Sequence, residues 1–221
     1  HVESVAWISE RKDVLYTLFY LGSALCYLKY LRSRTGSRWL VYSTVLFVLS
    51  CLSKSMAVTL PVILLLIDYF HSRKDWRASV TEKIPYFLIA LFFCYMAVKS
   101  QSHAMVTGMA LEIGYVDRIF IVFYNLMYYL VMLFCPVALS AIHYYPEKTG
   151  GSLPLLYYLA PAGILLIGLG AHKAKKFRKE LIFGLLFYLA AILPVIQIIP
   201  IGASMVSERY SYVPYIGLLF I

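Results

Sequence analysis

The fold class that the sequence predicts is an all-α, polytopic transmembrane helical bundle, and three observations carry it. Of the 221 residues, 62% are apolar or aromatic and only 14% are charged, against about half and about a quarter in soluble domains. The charges are bunched, and between the bunches lie apolar stretches near the roughly 20 residues a helix needs to cross a hydrocarbon core. These stretches lack the alternation of barrel strands. In lipid a segment must satisfy its backbone hydrogen bonds internally, which makes them helices. The run from Leu153 to Ala171 has no charged side chain at all.

The basic residues then orient the chain. The formal net charge is +9, and three clusters hold most of the Lys and Arg. Lys29, Arg32, Arg34 and Arg38 form the first, and Arg73, Lys74, Arg77 and Lys83 the second. Lys173, Lys175, Lys176, Arg178 and Lys179 form the third. Short loops rich in Lys and Arg stay on the cytoplasmic side, so these clusters are expected inside and the other connections outside. Topology accounts for the basic excess, and no nucleic-acid partner is expected.

Sidedness constrains each segment in order. Residues 14–31 run from the outer side to the first basic cluster. Residues 39–70 lie between two inner clusters and must cross an even number of times, which predicts a hairpin turning at Ser53-Lys54-Ser55 with Lys54 at the outer turn. Between the second and third clusters lie three apolar segments, 84–99, 118–135 and 153–171, where parity allows only two crossings. Segment 118–135, with Arg118, Asn125 and several tyrosines, is the one expected to lie along the outer interface as an amphipathic helix. Residues 181–203 return to the outer face, 204–212 form an outer loop, and a last helix begins near Tyr212. Pro194 and Pro200 flank Gln197 and predict a kinked helix end whose freed carbonyls point into a cavity.

The outer connections gather the chemistry: His1 to Asp13, Lys54, Lys99 with Gln101 and His103, Asp117-Arg118, His143 to Lys148, and Ser204 to Pro214. Arg and Lys at a membrane surface suit a lipid-linked phosphate, because a guanidinium forms paired hydrogen bonds to phosphate oxygens. No P-loop, Rossmann glycine pattern, zinc-protease helix motif or nucleophile elbow occurs, and no helical repeat period is visible. Cys26, Cys51, Cys94 and Cys135 stand alone in apolar runs, which predicts reduced thiols without a disulfide or metal role.

Two segments carry a resemblance. His1-Val-Glu-Ser-Val-Ala-Trp-Ile-Ser-Glu-Arg-Lys-Asp-Val-Leu15 resembles the H-P-x-H-x-E-x-V-A-x-x-x-x-R-x-D-x-L signature of the transmembrane and tetratricopeptide-repeat proteins, entered at its second His. Ala203-Ser-Met-Val-Ser-Glu-Arg-Tyr-Ser-Tyr-Val-Pro-Tyr-Ile-Gly217 resembles that family's A-x-x-x-x-[ED]-R-Y-x-Y-[LV]-P-x-[IV]-G signature. Leu52 to Pro61 and Ile67-Asp-Tyr69 are similar to its middle. The Ser-Glu-Arg-Lys-Asp and Leu-Ser-Lys-Ser-Met-Ala forms look bacterial.

The resemblance implies a bundle of the GT-C glycosyltransferase type. Such an enzyme moves a mannose-like sugar from a polyprenyl-phosphate donor to a protein or glycan acceptor on the outer or lumenal face. It implies a bacterial inner membrane with the active face outward, or the endoplasmic reticulum in a eukaryote. Residues 1–221 then read as part of one transmembrane domain. Further helices and the first outer loop, which carries the family's acidic catalytic residue, are expected upstream, and tetratricopeptide repeats beyond residue 221; the fragment alone is expected to be inactive. Of the acids present, Glu3 is the one catalytic candidate. Arg209, with Arg11 or Lys54, is expected to neutralise the donor phosphate. Glu208 and Glu3 would hold the basic residues in place, with His1 beside them, and His143, Tyr144 and Tyr145 would line the acceptor path. A divalent metal is admitted, but no residue is assigned to hold one. Two other functions stay open: a transporter of lipid-linked intermediates, which predicts buried charges in mid-helix, and a non-catalytic membrane scaffold for downstream repeats.

Overall fold

The computed structural model describes residues 7–33, 36–101, 113–137, 140, 143–146, 151–198 and 204–220. They fall into two compact units, residues 1–100 with 189–191 and residues 101–188 with 192–221. His1 and Glu3 lie outside the described residues, as do His103, Lys148 and Pro200.

The first unit holds α1 (Arg11–Ser33), α2 (Ser37–Ser53), α3 (Leu60–Phe70) and α4 (Trp76–Gln101). The packing of α1 is inverted relative to a helix of a water-soluble bundle, while α3 buries Leu60, Ile63, Leu64 and Ile67. The buried residues of α1 are Asp13, Tyr16, Thr17, Tyr20, Ser23 and Tyr27, a polar stripe at helical spacing. Val14, Leu15, Leu18 and Leu25 of the same helix are exposed. On α2 the buried positions include Ser43 and Ser50, while Val41, Val45 and Leu52 face outward. Without a hydrophobic drive between helices in lipid, small residues and hydrogen bonds hold them together. Ser23 Oγ donates to Ser43 O at 2.7 Å and Ser43 Oγ to Ser23 O at 2.9 Å. Ser50 Oγ donates to Tyr16 O at 2.9 Å.

These contacts fix helix directions. Tyr16 meets Ser50 and Ser23 meets Ser43, so α2 runs antiparallel to α1. Tyr20 bonds Thr59 and Tyr27 bonds Asp68, so α3 runs parallel to α1. The chain therefore reverses between α2 and α3, where the sequence places the hairpin. Lys54 is the extended residue at the break (φ −156°, ψ 134°), followed by a 3-10 turn at Ser55–Thr59. Pro61 sits in the first turn of α3, where it costs no helical hydrogen bond. On α4, Tyr86 is buried, stacks on Phe47 with ring centroids 5.6 Å apart, and donates to Leu40 O at 3.2 Å.

The second unit holds α5 (Tyr115–Phe134), β1 (His143–Tyr144), α6 (Leu155–Lys173), α7 (Arg178–Ile192), β2 (Ser204–Val206) and α8 (Pro214–Leu219). Its core includes Ile121, Leu126, Tyr129, Tyr157, Tyr188, Ile192, Val206 and Tyr215. Tyrosine hydroxyls tie helices to backbone: Tyr188 donates to Leu126 O at 2.8 Å and Tyr215 to Tyr129 O at 2.7 Å.

By length and composition, α1, α4, α5 and α6 can each cross a membrane. Residues 118–134 thus lie in one continuous helix fit to span, and length does not single them out for the interface. What distinguishes α5 is its buried face, described below. The expected span over 181–203 is shorter than the sequence suggests. The α7 helix has 15 residues and stops at Ile192, where Pro194 enters a 3-10 turn at Leu193–Val195. At 1.5 Å per residue it covers about 22 Å, less than a typical hydrocarbon core of about 30 Å.

Candidate functional site

In the second unit a polar connection is clamped over α5. The 3-10 turn after α7 leads to Gln197, whose φ of 68° lies in the left-handed region. Such a backbone persists in a bulky residue only where surrounding contacts hold it, and here they do. Gln197 Nε2 donates to Ser204 O at 2.9 Å, and its Oε1 accepts from Tyr145 OH at 2.9 Å. Burial pushes the Tyr145 phenol above its usual pKa, partly offset by the charge of Arg118, so it stays protonated as a donor. The carbonyl of Ile196, freed by the helix end, accepts from Asn125 Nδ2 at 3.3 Å, which also reaches Met205 O at 3.4 Å. One turn along α5, Tyr129 OH donates to Ser207 O at 3.0 Å. The helix ends at Ile192 rather than continuing to Gln197, and the carbonyl of Ile196, expected to point into a cavity, is taken by Asn125.

The strands β1 and β2 pair antiparallel, His143 opposite Val206 and Tyr144 opposite Ser204, with a register shift between them. This brings His143 next to the segment that leads into Glu208 and Arg209. His143 Nε2 lies 3.0 Å from Tyr128 OH, with the rings edge to face at 5.2 Å. Glu208 Oε1 accepts from Ser140 N at 2.9 Å, and the Arg209 guanidinium lies 5.4 Å from the Tyr210 ring centroid. Asn125 Oδ1 and Ser207 Oγ are buried with no hydrogen-bond partner among the described residues. Beside Tyr128 a groove of about 350 Å³ opens between α5 and α6. Tyr124, Met127, Tyr128 and Val131 line one wall, and Leu156, Leu159, Ala160 and Gly163 the other.

Of the residues singled out in the sequence, His143, Tyr145, Glu208 and Arg209 lie in the second unit, with His143 on the strand that pairs with Ser204–Val206. Arg11 and Lys54 belong to the first. Arg11 is exposed at the start of α1. Lys54 is ion-paired with the fully buried Asp13 and lies 5.7 Å from the Tyr16 ring centroid. Its charge is therefore engaged by a carboxylate inside its own unit. Among the described residues, no group of three or more His, Cys, Asp or Glu could hold a metal ion. The four cysteines are free.

At the other end of the first unit lies a charged network that the sequence reading did not assemble. Lys83 is fully buried; its Nζ donates to Asp68 Oδ2, to Tyr27 OH at 2.6 Å and to Ser79 O at 3.0 Å. Tyr27 OH in turn donates to Asp68 Oδ1 at 2.7 Å. Arg73 makes a two-pronged pair with Glu82, at 2.6 and 2.7 Å, and Tyr30 OH donates to Glu82 at 2.9 Å. This pairing with Glu82 holds the Arg73 guanidinium pKa above its usual value. The reading of Lys83 and Arg73 as loop charges is corrected: carboxylates neutralise both, and Lys83 is interior. The available signal was Asp68, an acid within an apolar run. An intramembrane acid needs a cation, and Lys83 is 15 residues on.

Comparison with family models, with curated proteins and with solved structures finds no match for the chain. The class that fold and site define is a helical protein with, among the described residues, four helices fit to cross a bilayer by length and composition. Its second unit carries a hydrogen-bonded polar connection beside an apolar groove.

Proposed function

We propose that the chain is the bilayer-embedded core of a glycosyltransferase. It moves a mannose-like sugar from a polyprenyl-phosphate donor to a protein or glycan acceptor at the face carrying the β1–β2 ladder. The observation that carries this reading is the groove between α5 and α6. It is apolar along Met127, Val131, Leu156, Leu159 and Gly163, and it has tyrosines 124 and 128 in its wall, the second of them bonded to His143. An isoprenoid tail fits such a wall, and the polar connection holds candidates for its headgroup. Two signature resemblances at residues 1–15 and 203–217 point to the same chemistry.

In this mechanism the acceptor oxygen attacks the anomeric carbon and the bond to the phosphate oxygen breaks, leaving polyprenyl phosphate. The acceptor proton goes to a carboxylate, which the resemblance places upstream of residue 1. Arg209 stabilises charge developing on the leaving phosphate, usually the largest catalytic contribution. Glu208, anchored on Ser140 N, orients the turn that carries Arg209. Arg11 remains a second candidate cation, and Lys54 is committed to Asp13.

The test is transfer by the full-length protein from a long-chain and a short-chain polyprenyl-phosphate sugar. Arg209→Ala should lower transfer from both by about a hundredfold, in line with loss of one charge-stabilising group. Gly163→Leu, which fills the groove, should raise KM for the long-chain donor only. Undiminished transfer by a well-expressed Arg209→Ala protein would sink the phosphate role.

A second reading, transport of lipid-linked intermediates, draws on one observation, the buried Asp68–Lys83 pair. Buried intramembrane charges mark pathways in transporters. Here, however, each charge is saturated by Tyr27, Ser79 and its partner, the pattern of a fixed structural pair. Movement of a labelled lipid-linked sugar across proteoliposomes without any transfer would favour transport.

A further inference from the structure

We infer that the open groove at the Arg73 end of the first unit binds the phosphate of an anionic lipid headgroup. This rests on the reading that the helices cross a bilayer and is independent of glycosyl transfer. The groove has a volume of about 610 Å³ and is lined by Tyr30, Arg32, His71, Ser72, Arg73 and Lys74, with Leu31. It sits where the last turn of α1 meets the chain reversal after α3. Ser72, with φ 53°, turns the chain there, and His71 Nδ1 is fixed on Ile67 O at 3.1 Å.

The charge pattern points to a ligand. The buried or half-buried cations of this unit are each taken by an acid: Lys54 by Asp13, Lys83 by Asp68, Arg73 by Glu82. Arg32 and Lys74 line the same groove, and neither has a carboxylate within ion-pair distance among the described residues. A phosphodiester carries one negative charge, and a guanidinium and an ammonium across one groove supply its donors.

Position supplies the source of that phosphate. The sequence places this end at the cytoplasmic leaflet, where anionic lipids collect. Interface markers stand around it. Trp76 is 60% exposed, and Lys29 lies 4.7 Å from the Trp39 ring centroid, the usual company of a headgroup layer. The competing role for Arg32 and Lys74 is neutralisation of the negative helix ends of α1 and α3. That role does not depend on lipid charge, and this difference makes the two separable.

The full-length protein is reconstituted in phosphatidylcholine vesicles with and without about 30 mol% phosphatidylglycerol, a membrane of moderate anionic charge. Flotation confirms insertion, so a failure of the membrane reading shows before the site is tested. Tm is then compared between the two lipid compositions. Wild type should be stabilised by phosphatidylglycerol. Arg32→Gln/Lys74→Gln should lose more than half of that shift, while Lys175→Gln/Lys176→Gln, with the same change in net charge, should keep it. Inorganic phosphate added to phosphatidylcholine vesicles should not reproduce the shift. If it does, and Arg32→Gln/Lys74→Gln abolishes the effect, the groove binds soluble phosphate and the lipid assignment is overturned. Equal lipid response in wild type and Arg32→Gln/Lys74→Gln, or equal loss in both double variants, overturns the site itself.

Discussion

Asp68 shows what a single charge demands in an apolar setting. It is 2% exposed, and four groups address its carboxylate: Tyr27 OH, Ser79 Oγ, Lys83 Nζ and, at 3.6 Å, the Arg73 guanidinium. Removing one partner of such a pair strands the other in a medium that cannot solvate it. Asp68→Leu should therefore cost about 3–5 kcal/mol. The double change Asp68→Leu/Lys83→Met should cost markedly less than the two singles together, because it removes both charges. A double-mutant cycle from denaturation in detergent checks this, and additive losses would mean that the pair is not coupled. Ser207 makes the opposite case. Its hydroxyl is buried without a partner among the described residues, so Ser207→Ala should be neutral or slightly stabilising, within about 1 kcal/mol. If the hydroxyl meets a ligand, transfer falls while Tm holds. A clear loss of Tm in Ser207→Ala would show that the hydroxyl has a structural partner.

Among the elements, α8 depends on one small residue. A Cβ on Gly217 would come within 2.8 Å of the Gly184 carbonyl oxygen and 2.7 Å of the Phe187 ring. Gly184 O is backbone and cannot swing aside. Gly217→Ala should cost about 1–3 kcal/mol through overpacking. Gly168 on α6 has open space around it, so Gly168→Ala should leave Tm unchanged or raise it, as helix propensity favours alanine by about 1 kcal/mol. Measured side by side, the two separate packing from propensity; equal effects would refute the close approach of α8 to α7. The same elements show what was legible in the sequence. The break at Lys54 follows from parity and a polar triplet, and the bundles of apolar residues place α1, α4, α5 and α6. The Asp13–Lys54 pair joins residues 41 positions apart, and no local periodicity encodes that. The buried stripe of α1, Asp13 to Tyr27, emerges only from packing. His143 is joined to the Glu208–Arg209 turn by a two-residue ladder, too short for any strand pattern to register.

At the scale of the molecule, the open question is how α5 lies in the bilayer. It is 20 residues long and fit to cross, whereas the positive-inside reading of the sequence expects an even number of crossings between the second and third basic clusters. The α5 contacts tie its middle to the polar connection. Asn125 and Tyr129, one turn apart, bond to Ile196, Met205 and Ser207, all on the connection that pairs with β1. The tyrosines along α5 suit a headgroup layer, where a ring is buried and its hydroxyl reaches a polar partner. Single cysteines at Gly114 and Val137, just outside the two ends of α5, test this in a background freed of the four native thiols. With a membrane-impermeant maleimide both should label from the same side in intact cells, the side opposite to a cysteine at Lys74. Labelling of the two positions from opposite sides would make α5 a crossing helix. It would then require the chain between α5 and α6 to return through the bilayer, and would move His143 away from the face on which the proposed transfer depends.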